Sequence, residues 1–418
     1  MNILLKSATI LDEDNRGLHQ KVRDIWVKNG NIEKIAVSIK ADSKTRVITF
    51  PNLHVSKGWI DSSVSFGEPG YEERETLANG IKVAAFSGFT DIILNPNTKP
   101  IPDTSGDIVF LKKTAGEKGA KVHPMGALTM DSAGIDLAEL YDMKNAGAVA
   151  FYDFKRPVMN SNLLKIALQY AQGFDGLVLS YPMDLSIAAN GMVNEGGMST
   201  KLGLRGIPAL SEEIQIARDL FILEYTGGKL HIPTISTANA VNLIAEAKKK
   251  GLDVSCSVAL HNLCFTDDVL DEFETNYKVL PPLRTKKDTE ALKRGLKNGV
   301  IDMVTTDHLP MDIEEKRIEF DHAAFGSIGL ESAFGILNSI FDTETAIRLL
   351  TMGRERFGLT TVSIKEGQPA NLSLFTPQGK LEILKENLRS TSKNSMFIGQ
   401  KGKGNVYGVI VNDQLLLS

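Results

Sequence analysis

Between about residue 56 and residue 360 the chain repeats one pattern eight times: a short apolar run ending at polar residues, then a stretch with helical periodicity. Runs of Val, Ile, Leu and Ala without alternation suit strands buried on both faces, and their spacing by helices makes them parallel. Eight such units predict an α/β chain of the (β/α)8 barrel type. The expected strands are Gly58–Val64, Thr90–Leu94, Lys121–Met125, Ala148–Tyr152, Gly176–Tyr181, Leu230–Ile235, Asp253–Val258 and Ile301–Thr306. Helices are expected at Glu72–Phe86, Asn160–Tyr170, Ser211–Glu224, Ala238–Lys250 and Lys287–Lys297, with Ser211 and Asp288 as N-terminal caps.

The flanks read differently. Alternating runs at Ile3–Ile10 and Ile25–Val37, the second broken by Asn29-Gly30-Asn31, and further runs at Ala370–Phe375 and Val406–Val411 predict strands. Residues 1–55 and 365–418 are expected to pair into one small β domain beside a barrel of residues 56–364, because domain termini usually lie close together. With 47 basic and 51 acidic residues, net charge −4, there is no electrostatic case for nucleic acid or a membrane surface. Two cysteines, Cys256 and Cys264, form no Cys-x-x-Cys pair, and no 18-residue apolar run occurs, so a cytoplasmic protein is expected.

Barrels of this kind carry their reacting groups where the strands end. Those ends supply Ser63 and Ser65, the Asn95–Thr98 segment with Asn97, Asp153, Ser180, Thr234, His261 and Asp307. Alternation turns Ser63 and Ser65 to one face. His308 should face away from Asp307, and His54, His123, His231 and His322 show no ligand spacing. Asp307 has two readings, a hydrogen-bonding residue of the mouth or a vestigial metal ligand and base; Asp153 lines the pocket or forms a turn.

Gly58-Trp-Ile-Asp-Ser-Ser-Val-Ser-Phe-Gly-Glu-Pro-Gly70, Asn95-Pro-Asn-Thr-Lys-Pro100, Asn194–Ser199 with Leu202–Pro208, Pro281-Pro-Leu-Arg284 and Thr306-Asp-His-Leu-Pro310 lie along most of the chain. Together they resemble the dihydroorotases of the amidohydrolase superfamily, where the first run is Asp-x-His-x-His-x-Arg-Glu-Pro-Gly. The resemblance implies a barrel whose mouth holds zinc. It places the metal-binding histidines at Ser63, Ser65, Ser180 and Thr234, the metal-binding acids at Asp153 and Asp307, a substrate-gripping arginine at Gly67, and further substrate contacts at Met311 and Leu280. Asn97 and His261 remain as substrate-binding candidates. Lys155 is a remote candidate for the carboxylated lysine some relatives use.

Four imidazoles are therefore missing. Catalytic zinc wants about three protein ligands, so no cofactor is expected. Zinc lowers the pKa of bound water from about 15.7 to roughly 7, at most on the order of 12 kcal/mol of nucleophile activation. Its loss predicts a non-catalytic dihydroorotase-like protein of pyrimidine biosynthesis. Some metal-deficient relatives assemble with aspartate carbamoyltransferase, which the resemblance offers as a partner, with a homo-oligomer also expected. The alternatives are a zinc-dependent cyclic-amide hydrolase using Asp153, Asp307 and His261, and a recruited triad of Ser63, Ser65 or Ser180 with His261 and Asp307.

Overall fold

The computed structural model describes all 418 residues. Parallel strands Trp59–Val64, Phe89–Leu94 and Lys121–Pro124 form one arc, and Leu177–Leu179, Lys229–Ile232, Val254–Ala259 and Met303–Thr305 form a second. Single parallel bridges join the arcs, from Gly126 through Phe151 to Val178 on one side and from Val64 to His308 on the other, so the ring is closed. Every residue of Trp59–Val64, Phe89–Leu94 and Val254–Ala259 is buried, as apolar runs covered on both faces require. Ile60, Ile93, Met125, Tyr152, Leu179, Tyr181 and Met303 fill the interior.

Ala148–Tyr152 fills the fourth position as expected: Val149 and Tyr152 donate to the carbonyls of Pro124 and Gly126 at 3.0 and 2.9 Å, Ala150 O accepts from Gly126 at 3.0 Å, and Phe151 pairs with Leu177 and Leu179 at 3.0 and 2.8 Å. Three expectations are corrected. The first helix begins at Leu77, not Glu72: Thr76 accepts from the Asn79 amide, and Glu68 takes the Leu77 amide. Ser211 lies inside Ala209–Thr226, which starts after Pro208, and Asp288 is the third helical residue of a capping box with Thr285.

Strands from both ends of the chain share one eight-stranded sheet. Its order is Gln414–Leu417, Lys401–Val411, Leu372–Glu382, His54–Lys57, Asn2–Leu11, Val22–Lys28, Asn31–Ala36, with Arg46–Ile48 also on Asn2–Leu11. Asn29 (φ 50°) and Gly30 (φ 75°) turn the hairpin between Lys28 and Asn31, the left-handed pair a two-residue hairpin loop needs. Trp59, fully buried, stacks on Phe334 and lies against Phe375, tying sheet to barrel.

Candidate active site

Ser63 and Ser65 do point to one face, and Asn95 joins them: its amide donates to Ser63 Oγ at 3.1 Å and to Ser65 Oγ at 3.0 Å. Ser63 Oγ also lies 3.4 Å from Asp307 Oδ1. The other Asp307 oxygen receives the Lys155 ammonium at 2.7 Å, with both side chains almost wholly buried. Burial lifts the Asp307 carboxyl above its ordinary range, and Lys155 pulls against that lift. Lys155, the remote candidate for carboxylation, has its amine paired with the acid of the last strand.

Below this group, Asp61 closes the barrel. It accepts from Thr305 Oγ1 at 2.5 Å, from the Thr306 amide at 3.1 Å and hydroxyl, and from the Ser63 amide at 3.1 Å. Burial pushes its pKa up to about 6 against those hydroxyl donors. Three mouth residues, Lys155 (φ 54°), Thr234 (φ 49°) and Asp307 (φ 50°), sit in the left-handed region. For β-branched Thr234 this is a genuine outlier, a strain of roughly 1–3 kcal/mol that surrounding structure must sustain.

The remaining candidates disperse. Asp153 is consumed by the adjacent loop: one oxygen accepts from the Leu128 and Thr129 amides at 2.9 Å each, the other from Thr129 Oγ1 at 2.5 Å. Ser180 donates to Asp219 of the Ala209–Thr226 helix at 2.6 Å, and Asp219 pairs with Arg218 at 2.6 Å. His261 is buried with both ring nitrogens unpartnered, as is Thr234 Oγ1. Burial and the nearby Lys155 charge push the His261 pKa down to about 3, leaving the imidazole neutral. No hydrogen bond links it to a serine or to Asp307, so the triad is not assembled. Asn97 lines a separate cavity of about 830 Å3 with Tyr71, Arg74, Lys99, Phe154 and Arg156. His308 faces away, its Nδ1 accepting from the Gly329 and Leu330 amides.

Gly67 has no room for a side chain. A Cβ there would stand 1.7 Å from the Tyr71 carbonyl oxygen, so the turn closed by the Tyr71 amide on Gly67 O at 2.8 Å excludes an arginine. Zinc does not fit the donor set either. Asp307 holds an ammonium, the Asp153 oxygens are filled, and no three His, Cys, Asp or Glu side chains converge. Sequence reading missed Asp61 as the closing residue and the Lys155 ion pair; the Asp-x-Ser-x-Ser run signalled the first, and only the three-dimensional approach of residues 152 apart reveals the second.

The fold is a closed (β/α)8 barrel with a β-sheet domain built from both termini. L-Hydantoinase (dihydropyrimidinase) from Arthrobacter aurescens superposes with a TM-score of 0.86 at 21% identity, over 100% of this chain and 96% of that one. D-Hydantoinase from Thermus sp. gives 0.83 at 19%, over 99% and 94%. Within that class, the dihydro-orotase-like family profile matches residues 54–240. Dihydroorotase from Geotalea daltonii is 36% identical over 423 residues, covering 100% of this chain and 99% of its own. That from Caldicellulosiruptor saccharolyticus is 39% identical over 425 residues, covering 99% and 98%. The chain belongs to the dihydroorotase family.

Proposed function

We propose that this chain is a dihydroorotase homologue that does not open its ring substrate and acts in the cytoplasm as a scaffold or regulatory partner of aspartate carbamoyltransferase. The observation that carries the reading is the Lys155 ammonium on Asp307 at 2.7 Å. A cation fixed on the last-strand carboxylate neutralises the acid a metal would need and repels a metal ion. The closed turn at Gly67 removes a substrate grip independently. Without an activated hydroxide the barrier to cyclic-amide opening rises by several kcal/mol at the least, and each 1.36 kcal/mol is about tenfold in rate. What is left is a rigid barrel whose outer surfaces are available to a partner.

A second reading, a hydrolase with unusual ligands, has one observation in its favour. His261 is neutral, buried and unpartnered at both nitrogens, the state in which imidazole binds metals. The deciding measurement is dihydroorotate ring opening by purified protein with excess zinc against buffer plus zinc, with metal content read in parallel. A background rate and no bound zinc are expected. Enzyme-like turnover with stoichiometric zinc would establish the hydrolase instead. For the partnership, mixing with aspartate carbamoyltransferase at micromolar concentration should give a complex on size exclusion; two separate peaks would defeat that half of the proposal.

A further inference from the structure

Loops of the barrel mouth enclose a cavity of about 830 Å3 that the Lys155–Asp307 pair does not line. Tyr71 and Arg74 come from the loop after Trp59–Val64, Asn97 and Lys99 from the loop after Phe89–Leu94, and Phe154 and Arg156 from the segment after Tyr152. The lining holds three cations against one acid, Asp131. Arg74 is fixed in place, its Cζ 4.2 Å over the Tyr71 ring and its Nη2 on Glu315 at 2.7 Å. Arg156 gives its guanidinium to carbonyls, Asp131 O at 3.1 Å and Ser132 O at 3.3 Å, so its charge is unmatched. Lys99 is exposed at the rim.

The cavity has the marks of a built site. Asn97 Oδ1 and Arg74 Nε, an acceptor and a donor of its lining, are buried without partners, whereas buried polar groups are nearly always paired with the chain, water or a ligand. Asp131 (φ 53°) and Ser132 (φ 49°) are consecutive left-handed residues, and theirs are the carbonyls Arg156 holds. Strained backbone of this kind collects at ligand sites. The distribution of charge decides which anion fits. A carboxylate has two oxygens and suits a single guanidinium fork, but the arginine that would offer one at position 67 has no room. A phosphate monoester carries three terminal oxygens and a charge of about −1.5 to −2 at neutral pH, so cations on separate loops can share it. Phosphate alone leaves most of the space empty, since cavities of roughly 300–1,000 Å3 take whole organic ligands. Tyr71 and Phe154 supply aromatic wall, on which flat heterocycles stack.

We infer that this cavity binds a mononucleotide-like ligand, a phosphate monoester joined to a flat ring, with Lys99, Arg74 and Arg156 on the phosphate and the Tyr71 and Phe154 walls beside the ring; the inference is independent of whether the barrel is catalytic. Isothermal titration of the full chain with uridine monophosphate and adenosine monophosphate should give, for at least one of them, a Kd below about 1 mM, with the free nucleosides and inorganic phosphate at least about tenfold weaker. Arg156→Gln and Lys99→Gln, both at exposed positions, should each weaken nucleotide binding about tenfold with the far-ultraviolet circular dichroism unchanged. Failure of both nucleotides to bind below that concentration overturns the inference. So does binding that both charge variants leave unchanged, because the site then lies elsewhere. Inorganic phosphate binding as tightly as the nucleotide, or dihydroorotate binding more tightly, overturns it as well, since the cavity would then select a bare anion or a carboxylate.

Discussion

The two ends of the barrel each hold a buried carboxylate facing a cation, and they are built to different standards. At the N-terminal end Asp91 accepts from His123 at 2.9 Å, Arg354 and Thr90 at 2.8 Å and Asn371 at 3.2 Å. Arg354 in turn donates to Gly58 O at 2.7 Å. Burial would raise Asp91, but His123 and Arg354 overcome it and hold the carboxyl well below its usual range. At the mouth Asp307 has Lys155 and a long contact from Ser63, and burial prevails. One end pays in full for its buried charge, whereas at the other a single cation leaves burial uncompensated. Stability resides at the floor of such barrels and chemistry at the mouth, and of these two carboxylates only the one at the floor is held below its usual range.

The comparison is broken most directly by removing one charge from each end. Arg354→Met leaves Asp91 buried without its guanidinium and should cost about 3–5 kcal/mol in urea unfolding. The pH dependence should differ next. Asp61, pushed up to about 6 from about 3.9 unfolded, binds its proton more tightly when folded. Its contribution is therefore full below about pH 4 and lost as pH rises through about 6, roughly 3 kcal/mol at 1.36 kcal/mol per unit. Asp61→Asn should flatten that limb. Asp91, lowered on folding, contributes above about pH 4 and loses that contribution as pH falls, so Asp91→Asn should flatten the opposite, acid limb.

Lys155→Met should cost less than Arg354→Met, about 1–3 kcal/mol, because the Asp307 carboxyl, already lifted by burial, can take a proton. Equal costs would erase the distinction drawn between the two ends. The smallest effect belongs to Ser65→Ala, about 0.5–1.5 kcal/mol for one neutral hydrogen bond from Asn95, measurable as a shift of the urea midpoint at unchanged slope.

Much of the barrel was legible because its strands are unbroken apolar runs and its helices keep a regular period. The fourth strand, Ala148–Tyr152, was legible for the same reason, and its backbone pairs with both neighbours. At the mouth, the serines of the Asp-x-Ser-x-Ser run show that no imidazole stands on that strand. They do not show that Asn95 bridges them, that Asp153 serves a loop, or that Ser180 answers to Asp219. Those outcomes depend on contacts between distant segments and on side-chain direction past the strand ends, where alternation no longer applies. Ser211 misled because its hydroxyl preceded a helical period that Pro208 had already opened.

Lys155 in its left-handed conformation makes the mouth an interlocked unit. A single histidine placed at position 63 or 65 would set an imidazole beside an ammonium and still leave fewer ligands than zinc requires. Replacing Lys155 by glycine would relieve the backbone yet strand Asp307. No one substitution turns this mouth into a three-ligand metal site. Serines, lysine and aspartate are interlocked, so a metal there would require several of them to change at once.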